Sequence, residues 1–377
     1  MQAPEAHTPR LNAKFFMGPQ GWPYLLVPFI PVAVVLDFAH ASDAVIFACS
    51  ALGIIPTAAL MGRATEELAA RAGPGVGGLL NVTFGNAPEL IIALFALGHG
   101  LHEVVKASLI GSILGNILLV MGAAMFVGGL SRRSQRFNPT AVSAQTTMLL
   151  LAAVAMLLPA VFQLVHGKGL PPVGAEIVSF GSTIEVLSAI VAAVLIITYV
   201  AGLVFSLKTH RDVFNPDYED EGTWGWSTRT SVIMLAIAGV AVGVMSEILV
   251  GSISAASHSL GLSEFFIGVI IVAIVGNAAE HWVAVLVARK DKMDLSVNIA
   301  IGSSAQVALF VTPVLVLAGF FIGPAPLPLV FNGYELGALL LAVWIASYVS
   351  QEGESTWFEG LQLLAVYLVM AIVFAFA

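Results

Sequence analysis

The sequence contains one cysteine, Cys49, and few charged side chains, which make up 10% of its 377 residues. A single cysteine excludes an intrachain disulfide framework and a cysteine-based metal cluster. Soluble domains carry about 25% charged residues, so the low charge content argues against a soluble protein. Residues 1–21 have no apolar core and therefore show no cleavable signal peptide. With 58% hydrophobic residues, the composition predicts a polytopic membrane protein.

Long apolar runs, by contrast, are abundant. A bilayer core requires about 20 apolar residues per helix. The runs that meet this requirement are 22–39, 43–62, 74–99, 103–129, 141–166, 182–206, 229–252, 262–288, 295–321, 330–349 and 357–377. They predict an all-α polytopic membrane protein with 11 transmembrane helices.

Positive charge predicts how these spans are oriented. With the N-terminus in the cytoplasm, only Lys106 and Lys168 of the 15 lysines and arginines fall on the opposite side. This distribution follows the positive-inside rule. We therefore expect a cytoplasmic N-terminus and a C-terminus on the outer side.

An acidic motif occurs twice within the apolar runs, as GNAPE at 85–89 and as GNAAEH at 276–281. When the motifs are aligned without a gap, "IGS" at 110–112 also falls on "IGS" at 301–303. Spans 2–6 thus correspond to spans 7–11, and the first span is left over. Because five is odd, the second unit enters the membrane from the opposite side. Inverted repeats with interrupted helices are typical of secondary transporters, with the site at the repeat interface near the midplane.

The repeat also predicts how the chain is divided. The segments are a cytoplasmic tail at 1–21, the first transmembrane helix at 22–39, a first five-helix repeat with GNAPE at 40–206, an acidic cytoplasmic linker at 207–228, and a second five-helix repeat with GNAAEH at 229–377.

The two motif glutamates lie at mid-depth, where a charge costs about 2.5–3.5 kcal/mol, so we interpret them as functional. Pro88 weakens the first motif helix, and because Ala279 stands at its position in the second, only Gly276 remains there to break the helix. Carboxylates, amide oxygens and freed carbonyls form a donor set that suits Ca²⁺. The predicted metal ligands are Glu89, Glu280, Asn86, Asn277, Gly85 and Gly276.

Two close carboxylates bind either one divalent cation or protons, which leads to a hypothesis of competitive exchange. Polar residues near the motifs are candidates for proton coupling or gating: His281, Gln306, Ser112, Ser303, Asn116 and Glu247. Helix packing explains the two serines equally well, and a structural hydrogen bond or ion pair is an equal alternative for His281 and Glu247. The acidic run Asp217, Glu219, Asp220 and Glu221 is either a solvated linker or a regulatory cation site.

The runs "GNAPELIIALFAL" with "VVKASLIGSILGNILLV", and "FIGVIIVAIVGNAAEHWVAVLVARKDKMDLSVNIAIGSSAQVALFV", resemble the signature repeats of the calcium/cation antiporter superfamily. "FSLKTHRDVF" at 205–214 and "MSEILVGSI" at 245–253 resemble its cation/proton exchanger (CAX) branch. The resemblance implies Ca²⁺/H⁺ antiport by alternating access, with Glu89 and Glu280 as ion ligands. Ca²⁺ is then the transported substrate, no cofactor is expected, and the partners are Ca²⁺, H⁺ and the lipid bilayer.

Several alternatives stay open at this point. Sodium-coupled Ca²⁺ exchange on the same fold is the second reading, and a cation channel belongs to a different class. An intramembrane enzyme has little support, because no HExxH motif or Ser/His/Asp set stands in register. The short loop between the halves suggests a prokaryotic plasma (inner) membrane protein. Nucleic acid is not an expected partner, and a homo-oligomer is left open.

Overall fold

The computed structural model describes residues 13–16, 18, 20–72, 74–209 and 224–377, which are almost entirely helical. A helical turn at Ala13–Phe16 and a 3₁₀ turn at Trp22–Leu26 come first. The helices that follow are α1 (Phe29–Phe38), α2 (Asp43–Ala72), α3 (Pro74–Phe84), α4 (Ala87–Gly98), α5 (His102–Gly129), α6 (Pro139–Val165), α7 (Ser182–Thr209), α8 (Thr228–Leu260), α9 (Glu264–Arg289), α10 (Met293–Ala318), α11 (Gly333–Val349) and α12 (Trp357–Ala375). Two short strands, β1 (Gln135–Arg136) and β2 (Glu354–Ser355), pair antiparallel.

Eight of these helices are long and apolar enough to cross a membrane, by length and composition: α2, α5, α6, α7, α8, α9, α10 and α12. Shorter apolar helical segments lie at Trp22–Phe38, Ala87–Gly98 and Gly333–Val349. Each of these segments falls on one of the predicted spans. The prediction of a helical membrane fold is confirmed, whereas the exact number of spans stays a prediction.

Helix α2 is longer than the predicted span at 43–62. The extension carries Arg63 and Glu67, which form an i,i+4 ion pair of 2.7 Å between Nη2 and Oε1. Alanine, arginine and glutamate dominate residues 63–72, and all are strong helix formers. The helix therefore continues beyond its apolar part as a polar extension.

The first motif interrupts a helix and the second does not. Helix α3 ends at Phe84 and α4 begins at Ala87, with Pro88 in its first turn, so the predicted weakening at GNAPE is present. In the second copy the α-helical part of α9 runs unbroken from Ala273 to Arg289, so the prediction that Gly276 breaks the helix is wrong. Ala279 has the backbone N–H that Pro88 lacks, which keeps the hydrogen-bond ladder continuous.

Wide π-helical turns occur inside four of the long helices. They lie at Gly115–Val120 in α5, Phe205–Thr209 in α7, Ile267–Val272 in α9 and Val307–Val311 in α10. Such turns are frequently found at functional sites. Three of the four lie in the helices that carry, or directly follow, the acidic motifs.

Helices α2 and α8, the two longest, pack against each other along their lengths. Helix α5 lies in the interior, and its first part is buried at every position from His102 to Leu114. Gly111 of α5 and Gly268 of α9 bring the two backbones together, because a Cβ at Gly268 would lie 2.9 Å from Ala107 Cβ. This close crossing fixes the position of both motif regions.

The segment after the acidic linker is attached to the end of α2. The Glu67 carboxylate, which is 1% exposed, accepts hydrogen bonds from the backbone N–H groups of Trp224 and Trp226. The Arg63 guanidinium lies 4.6 Å from the centre of the Trp224 ring. One buried carboxylate thus links α2 to the chain that enters α8.

We expect Glu67→Ala to destabilise the protein by about 3–5 kcal/mol, because the buried Arg63 is left with its exposed partner Glu66 and the N–H groups of Trp224 and Trp226 lose their acceptor. Unfolding followed by tryptophan fluorescence in detergent measures the effect. Glu354→Ala is the matched control: its partner Arg136 is 83% exposed, so the expected loss is below about 1 kcal/mol. Equal losses for the two variants would contradict a special role for Glu67.

Candidate functional site

The two acidic motifs meet at the centre of the described structure, and each glycine faces the glutamate of the other motif. A Cβ at Gly276 would lie 3.3 Å from Glu89 Cγ, and a Cβ at Gly85 would lie 3.8 Å from Glu280 Oε1. The two carboxyl groups are close enough to interact electrostatically. Both glycines therefore provide room for a carboxylate beside the other motif helix.

The motif asparagines bind serines across the same interface. Ser303 Oγ of α10 donates to Asn86 Oδ1 at 2.9 Å, and Asn277 Nδ2 of α9 donates to Ser112 Oγ of α5 at 3.2 Å. Both asparagines are at most 2% exposed. Each motif is thus held by the helix that follows the other motif.

A longer hydrogen-bond chain extends from the Asn86–Ser303 pair. Asn86 Nδ2 donates to Gln306 Oε1 at 2.5 Å, and Asn116 Nδ2 donates to Ser303 Oγ at 3.2 Å. His281 Nε2 lies 3.1 Å from Asn116 Oδ1. The chain brings together five of the sequence-predicted polar residues and connects the second motif to the first.

Buried oxygens of the site lack hydrogen-bond partners. Glu89 Oε1 and Asn277 Oδ1 are fully buried and have no hydrogen bond. Glu89 and Ser112 also line a small cavity with about 10 Å³ of space for a water-sized sphere, the room for roughly one water molecule. A buried acceptor without a donor is costly, and a cation or proton removes that cost.

The donors at this centre suit a hard cation. They are carboxylate, amide and hydroxyl oxygens, which Ca²⁺ prefers, and nearby groups include no thiolate. Among the residues the structure describes, no three His, Cys, Asp or Glu side chains form a metal cluster. Gly276 lies inside a continuous helix, so it contributes space beside Glu89 rather than a freed carbonyl.

Other predicted site residues lie elsewhere. Glu247 of α8 contacts His99, at the end of α4, with both carboxylate oxygens 3.2 Å from Nε2. It therefore joins α8 to the far end of the first motif helix. The acidic run with Asp217, Glu219, Asp220 and Glu221 lies outside the described residues.

The sequence reading missed several groups near these sites. Glu66, which forms an ion pair with Arg63 at 3.1 Å, is also close enough to Glu280 to interact electrostatically. His99 was not singled out, because a lone histidine at a helix end carries no pattern. A cluster of four glutamates around Lys106 was also missed, since its members come from four separate parts of the chain.

Fold and site together define a polytopic helical membrane protein with a buried, oxygen-lined polar centre. The family model described as "Sodium/calcium exchanger protein" matches residues 42–208 and 230–376. The chain belongs to this family, as its motifs indicated.

Curated relatives match nearly the whole chain. The "Ca(2+)/H(+) antiporter" of Synechocystis sp. is 45% identical, covering 93% of this chain and 96% of its own length. The "Ca(2+)/H(+) antiporter ChaA" of Bacillus subtilis is also 45% identical, covering 93% of this chain and 97% of its own length. A "Vacuolar cation/proton exchanger 2" of Oryza sativa is 38% identical over 93% of this chain and 80% of its own length.

Solved structures agree with the fold. Native YfkE superposes with a TM-score of 0.78 at 42% identity, covering 94% of this chain and all of that one. The "H+/Ca2+ Exchanger CAX" gives a TM-score of 0.72 at 16% identity over 96% of this chain and 93% of that one, a likeness in fold alone.

Proposed function

We propose that this chain is a secondary active transporter that exchanges Ca²⁺ for H⁺ across the membrane. The observation that carries the proposal is the pairing of Glu89 with Glu280, each set beside the glycine of the other motif. Relatives named Ca²⁺/H⁺ antiporter, at 45% identity over 93% of the chain, support the choice of ions. The protein is then a transporter and not an enzyme.

Exchange follows from competition at this carboxylate pair. Two close carboxylates in a low dielectric do not both stay ionised without a counter-charge. One Ca²⁺ supplies that charge, and protons do so in its absence. Asn86, Asn277 and the Gly85 and Gly276 positions complete the proposed site with amide oxygens and space. Alternating access would then expose the same site to each side in turn.

We further infer two inverted five-helix repeats after one N-terminal helix. The reciprocal contacts support this arrangement, because Asn86 binds Ser303 while its counterpart Asn277 binds Ser112. The π-helical turns in α5 and α10 also begin within one residue of matching positions, just after the serine-bearing segments. We keep the proposed boundaries at 40–206 and 229–377 for the two repeats, with the linker at 207–228 between them.

The proposed topology with 11 spans places the contacting loops on the same side of the membrane. Strand β1 follows α5 and pairs with β2, which precedes α12; both belong to segments predicted to be cytoplasmic. Gln135 also donates to Asp291 in the turn between α9 and α10, at 2.9 Å. We propose a cytoplasmic N-terminus, an external C-terminus and a bacterial plasma membrane as the location.

The hydrogen-bond chain and the Glu247 contact are proposed to act in coupling or gating. Asn116, Ser303 and Gln306 connect Asn86 of the first motif with His281 of the second, and these two residues lie close in the chain to Glu89 and Glu280. Ser112 holds Asn277, and Glu247 holds the end of the first motif helix through His99.

Sodium-coupled exchange is the second candidate, since the matching family model is described as a sodium/calcium exchanger. Structural likeness to the exchanger NCX_Mj is weaker, with a TM-score of 0.50 at 17% identity, and concerns the fold alone. A channel has less support, because the paired motifs close around a centre with room for about one water molecule.

Purified protein in sealed vesicles tests the proposal. We expect Ca²⁺ uptake when the lumen is acidic relative to the bath, and loss of uptake when an ionophore removes the pH gradient. A sodium gradient at uniform pH is expected to drive no uptake. Uptake driven by sodium alone would establish the second candidate, and conductive uptake indifferent to both gradients would establish a channel.

A further inference from the structure

Away from the motif centre, buried charged groups gather where α5, α9 and α11 begin. Glu103 and Lys106 lie in the first turns of α5, 6% and 8% exposed, and Glu335 in the first turn of α11 is 2% exposed. Glu264 begins α9, and Glu176 comes from the loop at 166–181 between α6 and α7. We call these five residues the helix-start cluster. None of the five belongs to the motif site or to the proposed coupling residues.

The loop is fastened to α5 by two reciprocal hydrogen bonds. The Glu103 backbone N–H donates to Glu176 Oε2 at 2.9 Å, and the Gly174 backbone N–H donates to Glu103 Oε1 at 2.5 Å. Each carboxylate thus accepts a hydrogen bond from the backbone of the other segment. The loop is held at a defined position over the start of α5.

The second oxygen of Glu176 is the unusual atom. Oε1 is fully buried and accepts no hydrogen bond, and the Glu264 carboxyl group is its neighbour, because the first turn of α9 packs against the start of α5, where Glu176 is held. Two neighbouring carboxylates that are both ionised repel each other, whereas one proton shared between them forms a strong hydrogen bond. A shared proton explains both the proximity and the absence of any other donor.

The remaining charges of the cluster do not replace that proton. Lys106 provides one ammonium for the Glu103, Glu176 and Glu335 carboxyl groups, and its Nζ donates to the Val330 carbonyl at 2.9 Å. Glu335 Oε2 accepts a hydrogen bond from the Asn332 backbone N–H, while its buried Oε1 also lacks a partner.

A histidine lies beside this lysine. His102, which is 2% exposed, faces Lys106 and has a buried Nε2 without a hydrogen bond. Carboxyl groups therefore outnumber the cations buried with them.

We propose that the Glu176 and Glu264 carboxyl groups share one proton, and that this proton fastens the loop between α6 and α7 across the starts of α5 and α9. The two helices carry Ser112 and Asn277 of the motif centre and belong to different repeats in the proposed architecture. The loop is thus a proton-dependent strap across the two halves at one end of the molecule. The inference is independent of the ions that the protein transports.

The direction of the pH dependence follows from the Glu176 pKa. Burial is the largest cause that raises this pKa, and the neighbouring Glu264 carboxyl group is the next. The pKa rises from 4.5 to about 8. Between these two values the attached loop holds a proton that the detached loop releases, so attachment weakens as the pH rises. The attachment constant is expected to fall about tenfold per pH unit in this range and to level off above about pH 8.

Hydrogen–deuterium exchange of the purified full chain tests the strap. After correction for intrinsic rates, we expect protection of the Gly174 amide, which donates to Glu103 Oε1, to fall about a hundredfold between about pH 6 and about pH 8. In Glu176→Gln the titrating carboxyl group is gone, so protection is expected to stay constant over this range. In Glu264→Gln the amide donates permanently to the Glu176 carboxylate while burial is unchanged, so the fall in protection is expected to be clearly smaller than in the wild type.

Glu352→Gln is the matched control, because Glu352 lies in the exposed turn before β2, away from the cluster, and should retain the wild-type pH dependence. Wild-type protection that is constant from about pH 6 to about pH 8 would overturn the proposal. So would a Glu264→Gln or Glu176→Gln protein that keeps the wild-type slope. Neither result depends on Ca²⁺ transport, so failure of the strap is distinguishable from failure of the proposed function.

Discussion

Replacing Glu89 or Glu280 with glutamine is expected to abolish Ca²⁺ uptake driven by a pH gradient. Glutamine keeps the size of the side chain but removes the negative charge and the titratable proton. With one carboxylate left, the site can neither neutralise a divalent cation nor exchange it for protons. Removing one partner from a buried set of charges costs about 3–5 kcal/mol, which corresponds to a loss of more than about 100-fold.

Initial uptake rates in vesicles, matched for the amount of folded protein, measure this loss. Glu352→Gln makes the same chemical change in an exposed turn and should transport normally. Binding of ⁴⁵Ca²⁺ to the purified variants provides a second readout, which should fall together with transport. Full exchange by either motif variant would remove that glutamate from the site.

The second large effect concerns the crossing of α5 and α9. A methyl group on Gly111 would overlap the Val269 carbonyl oxygen, which belongs to the backbone and has no rotamer to move into. We expect Gly111→Ala to push the two helices apart, at a cost of about 1–3 kcal/mol or more. Ser112, the next residue, would then move away from Asn277, so transport should fall more than about tenfold even in folded protein.

Gly62→Ala is the control for this substitution. Gly62 lies inside α2, and nothing is within 4 Å of a Cβ built there. Alanine at this position should leave transport unchanged and stabilise the helix by up to about 1 kcal/mol. Thermal unfolding of both purified variants separates the effects, and a Gly111→Ala protein as stable and active as wild type would show that the crossing tolerates displacement.

Much of the architecture was predictable because a bilayer imposes simple rules on a chain. An apolar run of sufficient length must form a helix to satisfy its backbone, so the composition alone indicated a polytopic helical protein. The family followed from the motifs themselves, since GNAPE and GNAAEH stand in long segments whose sequences are specific to it. These inferences need only local sequence.

Less predictable were the breaks within helices. Pro88 correctly indicated an interruption near the first motif, because a missing N–H has a local effect. The break predicted at Gly276 in the second copy is absent. Glycine only permits a break, and the neighbouring residues of α9 decide whether it occurs. Its role is visible only in space, where it makes room for the Glu89 side chain.

The sequence by itself determined that this protein is a helical membrane protein with two related acidic motifs, because hydrophobic length and motif wording are local properties. Only the tertiary structure decided which polar groups meet. Asn116 and Gln306 are not equivalent in the alignment of the two motifs, yet both join one hydrogen-bond chain because α5 and α10 pack together. Glu176 and Glu264 are distant in the chain, and their contact depends on where a loop lies across two helix ends. Such contacts arise from packing between segments far apart in sequence, and no local pattern records them.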